Sequence, residues 1–307
     1  MENNSQLVFA LHGLNHTALQ RQVYFSFALA SYLLTILVNV ALVATVCAEA
    51  ALHQPLYIFL SNLCLNGLLG ASSFYPKLLH DLLADAHRVS YAGCLLQMTF
   101  TYSYVFCEFC ILTVMAYDRY LAICRPLQYH GVMTAQRVAR LLLLCWLFPL
   151  LEALLGVSLT ARLPLCGHHI HKLFCTNWEV VKLACGDTTL NDIYGYVLML
   201  SHVSQAALIL LSYGHLVRAS LNSSSHRRKV AQTCLPHLVA LLVFTAMLLF
   251  DSMFSRYGGS LQALQNMLAA EYLVVPPLIN PIIYGINLQQ IRTRLLRGFG
   301  LGKGGPA

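Results

Sequence analysis

Charge is scarce in this chain. Of 307 residues, 10% are Asp, Glu, Lys or Arg, against about 25% in soluble domains. With 58% hydrophobic residues and a mean hydropathy of +0.63, that shortage excludes an ordinary water-soluble domain and makes an integral membrane protein the expectation. A basic n-region followed by a short apolar core is also missing. Met1–Gln20 is polar, so no cleavable signal peptide is expected and the first apolar helix is expected to direct targeting. The lack of internal repeats gives an inverted-repeat transporter little support. No zinc motif and no Ser/His/Asp set stands out. Lone histidines such as His80, His202 and His237 read as helix-interface or surface residues, so no turnover chemistry, metal or cofactor is expected.

What the chain does have is seven long apolar segments. A spanning helix needs about 20 residues at 1.5 Å rise. The spans are Val23–Cys47, Tyr57–Leu83, Cys94–Ile123, Val138–Leu159, Leu190–Val217, Val230–Ser255 and Gln262–Ile286. Leu288–Phe299 follows, with Arg292, Arg294 and Arg297 alternating with Ile291, Leu295, Leu296 and Phe299, a pattern that suits a helix lying on a leaflet. The fold expected is an all-α membrane protein, a seven-transmembrane helix bundle with a short amphipathic eighth helix. Residues 1–22 form an outer amino terminus, 23–286 the bundle, and 287–307 the amphipathic helix and tail.

The net charge of +7 is explained by its distribution. With the amino terminus outside, 12 of the 19 basic residues fall on the cytoplasmic side: Arg119, Arg125, Arg137, Arg140, Arg218, Arg227, Arg228, Lys229, Arg292, Arg294, Arg297 and Lys303. This is the positive-inside bias, and it removes the need for a nucleic acid partner. Asn3 opens a glycosylation acceptor, Asn-Asn-Ser. Asn15 fits the pattern but sits close to the first span, and Asn222 is discounted as cytosolic. His168, His169 and His171 form an outer histidine tract; the expectation is a solvated, loop-stabilising role, with binding of a soft or borderline metal as the alternative. Cys47, Cys64, Cys107, Cys110, Cys124, Cys145 and Cys234 lie in or beside spans and read as small packing residues. Cys94, Cys166, Cys175 and Cys185 face the oxidising side, and their spacing allows three pairings.

Residues 115–130, MAYDRYLAICRPLQYH, carry the sharpest signal. An acid and an arginine adjoin at the end of a long apolar segment, where charge is costly and usually functional. Asp118, Arg119 and Tyr120 resemble the ionic switch of rhodopsin-like G protein-coupled receptors. The longer string, through Cys124, Pro126 and Tyr129, resembles the vertebrate odorant receptors. Residues 277–285, PLINPIIYG, are similar to that family's seventh-helix motif, with Asn280, Pro281 and Tyr284 in switch positions. Residues 228–234, RKVAQTC, with His237, match its start of helix six, where the basic residues suit both anionic lipid and a docking G protein. Residues 62–79, NLCLNGLLGASSFYPKLL, look like the fish-like, class I branch.

That resemblance implies a receptor at the plasma membrane, in olfactory sensory cilia, that binds a small odorant and activates a stimulatory, olfactory-type G protein to raise cyclic AMP. A non-olfactory metabolite sensor is the runner-up; a transporter or channel would show uptake or current without any G protein. The resemblance also implies disulfides Cys94–Cys175 and Cys166–Cys185. It makes Glu108, eleven residues before Arg119 on the same helical face, part of a polar cluster with Asn39 and Asn280. In that cluster Gly67 stands where the family has an aspartate, which argues against sodium and for a protonated or hydrogen-bonded Glu108. The ligand pocket is expected between the outer halves of spans three, five, six and seven, lined by Thr101, Tyr102, Val105, Phe106, Thr245 and Leu249. Thr101 stands where aminergic receptors carry an aspartate, so a biogenic amine held in that way is not expected; Thr245 replaces the family's usual tyrosine. Arg256, with Ser252 one turn earlier, falls where the class I branch holds a ligand carboxylate. Alternatively, Arg256 snorkels to water or pairs with Asp251 or Glu271.

Overall fold

The structure is a computed structural model that describes residues 7–13, 17–84, 86–220, 224–257, 262–287 and 289–298. Asn3, Asn15, Asn222 and Lys303 lie outside this set, as do the side chains of Arg227, Arg228, Lys229, His237, Tyr284 and Arg297. Among the described residues ten α-helices run in order: α1 (Ala18–Ala48), α2 (Pro55–Leu83), α3 (Tyr91–Cys124), α4 (Pro126–Val132), α5 (Ala135–Ala161), α6 (Asn177–Val181), α7 (Thr189–Ser220), α8 (Ser224–Tyr257), α9 (Gln262–Asn287) and α10 (Gln289–Gly298). The seven expected spans fall inside α1, α2, α3, α5, α7, α8 and α9 in turn. Among the described residues, α1, α2, α3, α5 and α7 are long and apolar enough to cross a membrane; α8 and α9 pack beside them and complete the seven-helix bundle.

The starts of these helices are legible in the local chemistry. Thr17 and Gln20 form a reciprocal capping box on α1, and Ser90 and Thr134 accept from the third residue of α3 and α5. Each satisfies an amide that the helix itself leaves without a partner. Pro55 begins α2, where its missing N–H is of no consequence.

α3 is the axis of the bundle. It packs against α2, α5, α7 and α8, and 72% of its most apolar window is buried, against 22% for α1 and 17% for α7. The outward faces of the peripheral helices carry exposed leucines such as Leu33, Leu37, Leu151, Leu155, Leu208 and Leu211, as lipid contact requires. α10 lies under α1, with Ile291 fully buried, Arg294 paired with Glu49 and the Tyr57 hydroxyl donating to Gln290 Oε1 at 2.9 Å.

Three prolines inside the spans are tied off by their neighbours. A helical proline has no N–H for the carbonyl four residues earlier. Pro281 thereby frees the Pro277 carbonyl, which accepts from Asn39 Nδ2 on α1 at 2.7 Å. Pro276 frees the Tyr272 carbonyl, which accepts from the Tyr104 hydroxyl on α3 at 2.9 Å. Pro149 frees the Cys145 carbonyl, which accepts from the Cys107 thiol at 3.0 Å. An unmet buried carbonyl costs about 1–3 kcal/mol, so these three bonds let the helices bend without that penalty. Cys107 therefore does more than fill space, the role expected of it.

One end of the bundle is capped. A three-stranded sheet has the order β2-β1-β3, with β1 (Val8–Leu11) in the middle, antiparallel to β2 (Arg88–Ser90) and parallel to β3 (His169–Ile170). Phe9, Leu11, Val89, Met98, Ile170 and Val180 form a small second core beneath it. The structure joins Cys94 to Cys175 and Cys166 to Cys185, each pair with Cα atoms 5.5 Å apart. The first bridge pins the loop between α5 and α7 to the top of α3.

Candidate functional site

Beneath the cap lies a cavity of about 120 Å³. An apolar cavity of about 150 Å³ accepts a benzene-sized guest, so the space suits a small molecule. Tyr102, Phe106 and Phe109 line it from α3, Glu152, Ala153, Gly156 and Val157 from α5, Thr176, Asn177 and Trp178 from the disulfide-tied loop and α6, Tyr194, Leu198 and His202 from α7, and Thr245, Leu249, Ser252 and Arg256 from α8.

Two expectations about this pocket are corrected. The wall expected from the seventh span comes instead from the fourth, α5; among the described residues α9 contributes nothing to the lining. Its inward side is already filled: Phe174 of the loop packs edge-on against the buried Tyr272 ring, and the Tyr104 hydroxyl bonds the Tyr272 carbonyl. Thr101 and Val105 are not on the wall either. Thr101 is buried with its hydroxyl 3.2 Å from Ser73 Oγ on α2. With Val105 it belongs to the stripe that runs through Glu108, Leu112 and Met115 into the bundle centre. The cavity-facing residues of α3 are turned about 100° from that stripe, one residue further along. Tyr102, Phe106, Thr245, Leu249, Ser252 and Arg256 do reach the cavity.

Arg256 is held by a partner that was not foreseen. Its Nη1 lies 2.5 Å from Asp192 Oδ1 on α7, and its guanidinium stacks 3.9 Å from the Trp178 ring and 4.8 Å from the Tyr196 ring. Gly195, one turn beyond Asp192, makes room: a Cβ there would sit 2.1 Å from Arg256 Nη2. Neither Asp251 nor Glu271 pairs with it. Asp251 instead accepts from buried Lys172 at 2.6 Å, and Lys172 also donates to Ser255 Oγ at 2.8 Å. A lysine from the loop thus plugs the bundle beside the cavity.

Deeper along α3, Glu108 is buried, and both its oxygens accept. Asn66 Nδ2 donates to Oε2 at 2.9 Å and Asn280 Nδ2 to Oε1 at 2.8 Å. Asn39 is not in this cluster, because its amide is spent on the Thr35 and Pro277 carbonyls. Asn66 takes the place expected of Asn39. Gly67 lets α9 close in, with Pro277 Cα 3.3 Å from where a Cβ would stand, so the family's aspartate position is occupied by helix contact.

At the far end of α3, Asp118 is fully buried and both its oxygens are used. Arg119 donates through Nε, at 2.9 Å, and Nη2 to Oδ2; the Tyr129 hydroxyl of α4 donates to Oδ1 at 2.8 Å. Tyr120 packs against the main core. The role of Tyr129 was hidden in the sequence, where it counted only as part of a matching string.

A profile of the family described as olfactory receptor matches residues 27–300. The chain belongs to the olfactory receptor family. Human olfactory receptor 6N1 is 36% identical over 281 residues, 90% of each chain. Human olfactory receptor 51I1 is 36% identical over 279 residues, 87% of each, and mouse olfactory receptor 2C1 is 33% identical over 311 residues, 98% of each. The receptor is therefore a multi-pass membrane protein and not an enzyme.

The histidine tract lies in the cap of this receptor. His12 Nε2 is 2.8 Å from His169 Nδ1, and the His168 and His171 rings stand close by. Among the described residues no three His, Cys, Asp or Glu side chains are arranged to hold a metal. Partial desolvation, then the neighbouring His168, His12 and His171, hold His169 below the ordinary histidine pKa. Asp187, before α7, is held below the usual carboxylate range by hydrogen bonds from the Thr189 hydroxyl and amide.

Proposed function

We propose that this receptor binds a small odorant in the cavity under the cap and answers by activating a stimulatory, olfactory-type G protein, which raises cyclic AMP. The observation that carries the reading is that one helix spans both sites. α3 supplies the aromatic wall of the cavity at Tyr102, Phe106 and Phe109 and ends in the Asp118–Arg119 pair. Between them sits Glu108, bonded to α2 and α9. An odorant acts only by preferring one arrangement of this helix and its neighbours over another. In the active arrangement Arg119 leaves Asp118 and meets the G protein, while Asn280, Pro281 and Tyr284 let α9 readjust.

The disulfide-bearing end faces the outside of the plasma membrane, consistent with the persistence of disulfides in an oxidising space and with basic residues gathered at the other end. The cells in view are olfactory sensory neurons, at their cilia, with Asn3 glycosylated and the basic residues of α8 and α10 against anionic lipid.

A ligand carboxylate was expected at Arg256. That expectation needs a free guanidinium, and the pairing with Asp192 withdraws its support. The test is cyclic AMP in cells that carry a stimulatory G protein and express the receptor, against a panel of small odorants, with Arg119→Ala at matched surface level. Wild type is expected to respond to some of the panel and the variant to none. An Arg119→Ala receptor that signals normally overturns the switch reading.

A further inference from the structure

The charges around the cavity do not all balance. Arg256 is met by Asp192, and Asp251 by Lys172. Glu152, on the cavity wall of α5, has no hydrogen-bond or ion-pair partner among the described residues, although the Tyr194 hydroxyl donates to its backbone carbonyl at 2.7 Å. It stands in a run of lipid-facing leucines, Leu150, Leu151, Leu154 and Leu155, and is turned away from them into the cavity. A lone carboxylate in such a place is costly unless a cation or a proton meets it. The surrounding groups favour a cation. Phe106 and Phe109 put aromatic rings on the cavity wall, and aromatic rings attract cations. The His202 Nδ1 donates to the Leu198 carbonyl at 2.7 Å, because a carbonyl only accepts, so its Nε2 is left as an acceptor in the neutral ring. Thr245 Oγ1, at the same cavity, is buried without a partner. These groups can receive the N–H bonds of an ammonium.

We propose that Glu152 is the charge anchor of the ligand pocket and that the receptor's ligands include small aliphatic amines, bound as ammonium ions with the nitrogen at Glu152. The proposal rests on the odorant-binding reading above and names the ligand class of that same cavity. It places the amine on α5, away from Thr101, so the absence of an acid at Thr101 does not bear on it.

The test uses four probes of one size: n-pentylamine, 1-pentanol, pentanoate and pentanal. Each is assayed in two ways, by cyclic AMP in cells and by the thermal shift of the purified, detergent-solubilised full-length receptor. Wild type, Glu152→Gln and Glu152→Asp are compared at matched surface level. The expected result is that n-pentylamine binds wild type, that Glu152→Gln weakens its binding by on the order of 10- to 100-fold, that Glu152→Asp recovers part of the loss, and that any response to pentanol or pentanal changes little. Amine binding that Glu152→Gln weakens, without cyclic AMP, supports the anchor and counts against the coupling reading. Cyclic AMP to pentanol, pentanal or pentanoate, with no amine binding, keeps the odorant receptor and overturns the anchor. Equal amine binding by wild type and Glu152→Gln also overturns it, and so does a wild type that binds no amine at all.

Discussion

The two halves of the bundle differ in whether each of their acids is met. In the half away from the cap every acid has its donors: Glu108 is bonded by Asn66 and Asn280, Asp118 by Arg119 and Tyr129. In the capped half, Glu152 has no partner, and Thr245 Oγ1, Thr176 Oγ1 and Trp178 Nε1 are buried with none among the described residues. All four line the cavity. Donors hold each of these carboxylates in one arrangement, whereas an unmet carboxylate raises the energy of the empty state; amide oxygens such as Asn39 Oδ1 and Asn66 Oδ1 are buried without a partner among the described residues in the deep half as well. The difference separates a region that must hold its shape until it switches from one whose missing contacts a ligand is expected to supply.

The largest test of this contrast is Glu108→Leu. It strips the acceptor from two buried amides at once, and we expect a loss of about 2–4 kcal/mol in the thermal stability of the purified receptor, with Glu108→Gln in between. A Glu108→Leu receptor as stable as wild type would erase the distinction between the two halves. A smaller effect is expected from Tyr129→Phe. Losing one of the bonds to Asp118 should loosen the Arg119 pair and raise basal cyclic AMP about two- to tenfold at equal surface level; unchanged basal activity would show that Tyr129 does not hold the lock.

The smallest effect concerns the cap. His169 is held below the ordinary histidine pKa, so the folded cap favours the neutral ring. Its contribution is present above the ordinary value, about 6.5, and is lost as pH falls through the lowered one. Protection of the amides of residues 8–12 and 168–171, taken relative to the intrinsic exchange rate at each pH, should therefore be lower at about pH 5.5 than at about pH 7.5. His12→Ala, which removes the bond to His169 and one of the repelling rings, should flatten that difference. Identical protection at the two pH values would detach the cap from its histidines.

The seven helices were legible because each span is a long apolar run that no soluble fold would tolerate, and the caps at Thr17, Ser90 and Thr134 obey local rules. The Asp118–Arg119 pair was legible because acid and arginine adjoin where charge is rare. The ligand wall was not. Thr101 and Val105 were misplaced by helix phase: the stripe that leads to Glu108 is not the face that meets the cavity. Asp192 was invisible as the partner of Arg256 because it lies 64 residues away and reaches it only through the gap that Gly195 leaves. Glu152 carried no periodic signal, since one acid among leucines reads the same whether it faces lipid, a neighbour or a pocket. The disulfide pairing came from the resemblance, as four cysteines alone fit three patterns.

The sheet of the cap carries a lesson about synthesis. Its middle strand, β1, leaves the ribosome before either neighbour, and Ala10 pairs with His169, roughly 160 residues behind it. At about 5–20 residues per second, β1 waits about ten to thirty seconds for its parallel neighbour to be made. Its edge toward β2 can be met far earlier, but the other edge stays open until then, when four of the seven membrane helices, α1, α2, α3 and α5, have been made. A strand made before either of its neighbours thus completes its pairing only after four of the membrane helices, and a cell that makes this receptor has to keep its open edge from pairing elsewhere in the meantime.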